Sequence, residues 1–202
     1  MISFAVLASG RGGNLQAIID AVNTGRINAQ LKVVISDKKD AYALERARKA
    51  QVPAVFIDPK GFKDRQSFDR AVVERLHEFK IDFVVLAGYM RLVSDHFIEQ
   101  YHDKILNIHP SLLPKFKGMH AIKEAFESGD TVTGLTVHIV IKEMDAGPII
   151  RQEKVDIAPK DTLESLEEKI HQAEHRIYPQ VIDDFARGYF KVEGKKVTIT
   201  KQ

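Results

Sequence analysis

Two side chains near the middle of the chain have the types and spacing for chemistry at a carbonyl-type carbon. In Ile105-Leu106-Asn107-Ile108-His109-Pro110, alternation along an extended segment puts Asn107 and His109 on the same side. The amide can donate to a developing oxyanion, and the imidazole can donate or accept a proton near neutral pH. A tetrahedral acyl-type intermediate needs both functions. A lone histidine after a strand is more often a structural hydrogen-bonding group, so the pair needs a third residue to give it direction. Asp145, in Glu143-Met144-Asp145-Ala146-Gly147-Pro148, can supply it. A carboxylate within a few ångströms of His109 favours the imidazolium and strengthens its donation. Where Asp145 lies in space does not follow from its position in the chain.

A second feature is Gly10-Arg11-Gly12-Gly13-Asn14, between an apolar run, Ile2 to Leu7, and the helical spacing of Leu15, Ile18, Ile19 and Val22. In a strand–loop–helix connection, exposed N–H groups and the positive helix end favour a phosphate. The loop is not the dinucleotide fingerprint, because Leu15 stands where the third glycine belongs, and no Lys-Ser/Thr pair makes it a P-loop. Taken alone it serves equally as a tight connector. His138, within a β-rich segment, is a supporting residue. Glu174 borders the buried stripe of a helix and can reach a substrate hydroxyl or simply water, the spacing favouring water. Residues 84–93 can line an apolar pocket or belong to the core. The chain has no cysteine, no paired-histidine spacing for a metal and no Gly-x-Ser-x-Gly nucleophile elbow.

The elements that must position these residues follow from periodicity. Strands are predicted at 2–7, 31–35, 52–57, 83–87 and 105–108, with Pro53 placing the third near an edge and the apolar run 83–87 reading as the central strand. Proline after His109 ends the fifth. Helices are predicted from Leu15, from a cap at Asp40 through Ala50, along Phe68, Val72, Leu76 and Phe79, from a cap at Ser94 to Tyr101, and at 121–127. Two long β segments, 132–141 and 149–157, then read as antiparallel. Asp161 precedes a long helix that Pro179 should kink, and a hairpin turns around Glu193-Gly194. The fold class is therefore α/β, a three-layer Rossmann-like sheet with parallel strands in the N-terminal half and antiparallel strands in the C-terminal half. Its site is expected at the strands' carboxyl ends.

Composition narrows the classes further. With 202 residues, 44% of them hydrophobic, the chain can bury a substantial core, and residues 1–202 read as a single domain with a phosphate-binding half (1–109) and a second half (110–202). Thirty basic and 28 acidic side chains nearly cancel, which gives no general attraction to nucleic acid or to an anionic membrane. No apolar run reaches spanning length, so a soluble cytoplasmic protein is expected.

Taken together, Asn107-x-His109-Pro110-Ser111-Leu112-Leu113-Pro114, Asp145-x-Gly147-Pro148, Gly10-x-Gly12-Gly13-Asn14, Leu86-Ala87-Gly88-Tyr89-Met90-Arg91 and Glu174-His175-Arg176-Ile177-Tyr178-Pro179 closely resemble the folate-dependent formyltransferase family, in order and separation. The resemblance spans nearly the whole chain. It implies transfer of a formyl group from 10-formyltetrahydrofolate, as co-substrate, to the amine of 5-phosphoribosylglycinamide in purine biosynthesis, by direct attack through a tetrahedral intermediate and without a metal. It implies that His109 is the acid–base group, that Asn107 binds the formyl oxygen, and that Asp145 holds His109 protonated. It also implies phosphoribosylglycinamide binding by Gly12, Gly13, Asn14 and Glu174, and folate binding by Arg65, by Met90, Arg91, Leu92 and Val93, and by Ile141, Lys142, Glu143 and Met144. At Gly13 the sequence departs from the family, whose members commonly carry serine, so one hydroxyl contact is missing while the backbone N–H remains. The partners implied are these two small molecules, with no nucleic acid and no membrane, and a monomer or homodimer.

Two other members of the superfamily share the Asn-His-Asp pattern. The formyltetrahydrofolate deformylases add an amino-terminal regulatory domain and the methionyl-tRNA formyltransferases a carboxyl-terminal RNA-binding domain, and neither addition fits this length. A noncatalytic nucleotide-phosphate binding module would use only the glycine loop and would leave Asn107 and His109 unexplained.

Overall fold

The computed structural model of the chain describes residues 1–194 and 196–200. Its elements follow the expected order: β1 (Ser3–Leu7), α1 (Gly13–Asn23), β2 (Gln30–Ser36), α2 (Tyr42–Lys49), β3 (Ala54–Phe56), α3 (Arg65–Glu78), β4 (Phe83–Leu86), α4 (Asp95–Gln100) and β5 (Ile105–His109). Then come α5 (Ala121–Glu127), β6 (Val132–Ile139), β7 (Ile149–Asp156), α6 (Leu163–Ala186) and the hairpin β8 (Phe190–Glu193) and β9 (Lys196–Ile199). Strands β1 to β7 form one sheet in the order β3-β2-β1-β4-β5-β6-β7. Pairing is parallel from β3 through β5 and antiparallel from β5 through β7. β4 is the middle strand and β3, with Pro53 at its start, is an edge.

Alternation sorts the strand residues into two buried layers. Phe4, Val6, Phe83, Val85, Leu106 and Ile108 meet α1, α2 and α6, while Ala5, Leu7, Val84, Leu86 and Ile105 meet α3 and α4. A sheet covered on both faces needs strands apolar at every position, which is why these runs do not alternate with polar residues. The largest side chains carry much of this burial, at roughly 1.5–3 kcal/mol for each fully buried Phe. Phe4 and Phe83, both nearly inaccessible, stack with centroids 5.2 Å apart. Tyr178 of α6 is also fully buried, and its hydroxyl donates to the carbonyls of Leu86 (2.8 Å) and Leu106 (3.1 Å), tying the carboxyl ends of β4 and β5 to the helix beside Asn107.

Two local expectations change. His109 is the last residue of β5 rather than the first beyond it, so the ladder holds its backbone. Asp40 does not cap α2; Ala41 occupies the cap and no side-chain hydrogen bond closes it. Helix α6 is capped by Thr162, whose hydroxyl accepts from Ser165 N–H, while Asp161 accepts from Ala158 N–H and from Lys169. Pro179 removes one rung of the helical ladder without ending α6, which runs unbroken to Ala186 with Pro179 buried. Among the described residues no helix is long and apolar enough to cross a membrane.

Candidate active site

The antiparallel register of β5 and β6 builds the centre of the site. Asn107 pairs with His138 and His109 with Thr136. Leu135, Val137 and Ile139 belong to the core layer under α6, so by alternation Thr136 and His138 project to the opposite face, beside Asn107 and His109. Loops 110–120 and 141–148 close over this end of the sheet.

Hydrogen bonding then orients each group. His138 Nδ1 lies 3.0 Å from the Ile139 carbonyl and its Nε2 lies 3.1 Å from Asn107 Nδ2. A carbonyl can only accept, so Nδ1 carries the proton and Nε2 accepts from Asn107. Burial lowers the pKa of His138 and keeps it in this neutral form. One amide hydrogen of Asn107 is therefore committed to His138, which sets the direction of the other. His109, 5% exposed, donates from Nε2 to the Phe116 carbonyl at 2.7 Å.

Asp145 completes the group. Its Oδ2 is 3.6 Å from His109 Nδ1 and its Oδ1 is 3.7 Å from His138 Nε2, so one carboxylate stands between two imidazoles. Neither separation is a hydrogen bond, and the unprotonated Nε2 of neutral His138 has no N–H to offer the carboxylate. Oδ2 also accepts from Gly118 N–H at 2.9 Å, joining the two covering loops. The two ring nitrogens of His109 thus face different groups: Phe116 O accepts from Nε2–H, and Nδ1 faces the Asp145 carboxylate across 3.6 Å. The 143–148 loop reaches this position because of Gly147, where a Cβ would stand 1.8 Å from the Ile139 carbonyl oxygen. Asp145 itself adopts φ 51°, a left-handed conformation unusual for a residue with a side chain. The sequence placed no constraint on Asp145, and the loop return supplies it.

The glycine loop lies at the carboxyl end of β1, as expected. Gly12 has φ 72°, and a Cβ there would press within 3.0 Å of Ala43. The first helical bond, Gln16 N–H to Gly12 O, leaves the N–H groups of Gly13, Asn14 and Leu15 without intrahelical acceptors. Asn14 Nδ2 donates to Glu174 Oε2 at 2.9 Å. The solvated reading of Glu174 is overturned here: it is 4% exposed, because α6 packs its buried stripe against α1. Burial raises its pKa from 4.5 to about 7, against the opposing effect of Asn14. Helix packing also brings His175 against Gly13, with Nε2 2.9 Å from where a Cβ would be. The periodicity of α6 by itself does not point to that contact, which depends on how two distant helices dock.

Because the folded-state pKa of Glu174 lies above the unfolded value, its contribution to stability is fully present below about 4.5 and is lost as pH rises through about 7. At about 1.4 kcal/mol per pH unit the loss is on the order of 3 kcal/mol. Glu174→Gln should flatten the stability profile across that interval. Chemical denaturation at a series of pH values checks this, and parallel profiles for the two proteins would contradict it.

The remaining residues of interest surround the sheet's carboxyl edge. Met90, Leu92 and Met144 are exposed, Arg91, Val93 and Ile141 are half-buried, and Lys142 and Glu143 are exposed. Lys142 Nζ pairs with Asp95 at 2.9 Å, which brings segment 141–144 against the segment following β4. Arg91 lies over the Phe68 ring at 4.5 Å, and Arg65 is exposed in the first turn of α3. Ser9, which the sequence did not mark, joins the two regions: its hydroxyl donates to Asp37 (2.6 Å) and accepts from Met90 N–H (2.9 Å). A cleft of about 270 Å³ opens beside Asp145, bounded by Leu113, Pro114, Gly147 and Ile149. Among the described residues, no group of three or more His, Asp or Glu is arranged to hold a metal ion.

This arrangement has close counterparts. A family model described as formyl transferase matches residues 2–182. The phosphoribosylglycinamide formyltransferase of Haemophilus influenzae is 44% identical over 96% of this chain and 91% of its own length. That of Bacillus subtilis is 42% identical over 90% and 93%. The crystal structure of glycinamide ribonucleotide transformylase 1 from Symbiobacterium toebii superposes with a TM-score of 0.97 at 49% identity, covering 100% of this chain and 95% of that one.

Proposed function

The chain belongs to the formyl transferase family, and from that premise we propose that it transfers the formyl group of 10-formyltetrahydrofolate to the amine of 5-phosphoribosylglycinamide in purine biosynthesis. The observation that carries the reading is the geometry at the end of β5: an Asn107 amide and a His109 imidazole on one sheet face, with the Asp145 carboxylate 3.6 Å from the imidazole.

The amine lone pair attacks the formyl carbon and the carbonyl π electrons move onto oxygen. The Asn107 N–H not held by His138 donates to that oxyanion, a contact that strengthens as charge develops. Collapse restores the C=O bond and breaks the bond to the folate nitrogen, which leaves with a proton; the amine nitrogen gives one up. His109 moves these protons and Asp145 stabilises its charged form, inside a pocket where both side chains are at most 10% exposed and Coulomb attraction is little screened. His138 acts through Asn107 by fixing the orientation of its amide. No covalent enzyme intermediate is needed.

The acceptor's phosphate is assigned to the free N–H groups of Gly13 and Asn14 beyond Gly12, and its ribose to Glu174. The folate is assigned to the edge formed by Met90, Arg91, Leu92 and Val93, with Ile141, Lys142, Glu143 and Met144 opposite and Arg65 toward the outside. Residues 1–202 act as one formyltransferase domain on two small molecules. Purified protein mixed with both substrates should release tetrahydrofolate only when phosphoribosylglycinamide is present. Release without the acceptor would replace this reading with a hydrolase.

A further inference from the structure

Resting on the assignment of the acceptor's phosphate to the glycine loop, we propose that His175 is a phosphate-binding residue of this protein, donating from Nε2 at a place left open because residue 13 has no side chain. A Cβ on Gly13 would lie 2.9 Å from Nε2 and 3.4 Å from Cε1, so the edge of the imidazole rests against the first residue of α1. That residue carries one of the N–H groups with no intrahelical acceptor. Successive residues of α6 address successive residues of the loop: Glu174 holds Asn14, and His175 meets Gly13.

The surroundings of the ring are those of an anion site. His175 is half-buried, and neither ring nitrogen has a hydrogen-bond partner among the described residues. Its pKa is pushed down by burial first and then by His171, one turn earlier on α6, and Arg46 of α2. The two neighbours act in that direction because the ring sits in positive potential. Arg46 donates to the Arg11 carbonyl (2.8 Å) and to Gln16 Oε1 (2.9 Å), yet pairs with no carboxylate among the described residues. A phosphate at the N–H groups of the loop would meet Nε2 from one side and lie within the field of Arg46. A bulkier residue 13 would displace the ring, since its own atoms would occupy the approach.

The test compares KM for phosphoribosylglycinamide with KM for ribosylglycinamide, the same acceptor without its phosphate. His175→Gln should raise KM for the phosphorylated acceptor about tenfold, the effect of one hydrogen bond to a charged group, and should lower kcat by less. KM for ribosylglycinamide and for the formyl-folate should stay within twofold. Gly13→Ser should remove most of the dependence: in that background His175→Gln should raise KM less than threefold. A His175→Gln protein whose KM for the phosphorylated acceptor is within twofold of the parent overturns the proposal. Equal increases for both acceptors also overturn it, by pointing to a general distortion of the site. A tenfold increase in both the parent and the Gly13→Ser backgrounds would refute the role given to glycine. Failure of the parent protein to use either acceptor would instead defeat the functional assignment itself.

Discussion

His109→Asn should lower kcat by about two to four orders of magnitude, the usual contribution of a positioned acid–base group, while leaving the thermal midpoint nearly unchanged. Asparagine retains much of the packing volume and a polar end, so the buried position at the end of β5 stays filled. What disappears is the group that carries protons between the amine and the folate nitrogen in the proposed mechanism. The Nε2–H that Phe116 O accepts and the ring nitrogen facing Asp145 vanish with it. Single-turnover measurements with saturating substrates separate this loss from a binding defect. A kcat within tenfold of the parent protein would remove His109 from the mechanism.

The second large effect belongs to Asp145. Asp145→Asn keeps the shape of the side chain and an oxygen able to accept from Gly118 N–H, so loops 110–120 and 141–148 should remain joined. The negative charge between the two imidazoles is lost. Turnover should fall by about two to three orders of magnitude, comparable to deleting a preorganised electrostatic contact in a water-poor site. In the proposed mechanism Asp145 acts through His109, so the double variant His109→Asn/Asp145→Asn should be little worse than His109→Asn alone. Additive losses would mean that Asp145 has a separate task, such as contacting the substrate directly, and the proposed partnership would fail.

Much of this site is legible in the sequence because short-range rules suffice for it. Asn107 and His109 share a side through strand alternation, and the glycine loop follows from an apolar run meeting a helical one. Ser94 caps α4 as its residue type indicates, with its hydroxyl accepting from Phe97 N–H. Where local rules fail, a competing partner intervenes. Glu174 has the pattern of a solvated residue on its own helix, whereas the facing helix α1 covers it and contributes Asn14 as its partner.

The amino-acid sequence by itself determined the order and type of the elements, the change from parallel to antiparallel strands, and the pair Asn107 and His109, since these depend on periods of two and 3.6 residues and on turn chemistry. Only the tertiary structure decided that His138 orients the Asn107 amide, that Asp145 stands between two histidines, and that His175 reaches Gly13. The contacts of His138 with Asn107, of Asp145 with His109 and of His175 with Gly13 each join distant parts of the chain. They arise through the register of β5 against β6, the return of a loop past Gly147, and the docking of α6 on α1. Local periodicity carries no information about such distances. They are set by which apolar faces are buried together, a property of the whole packed chain.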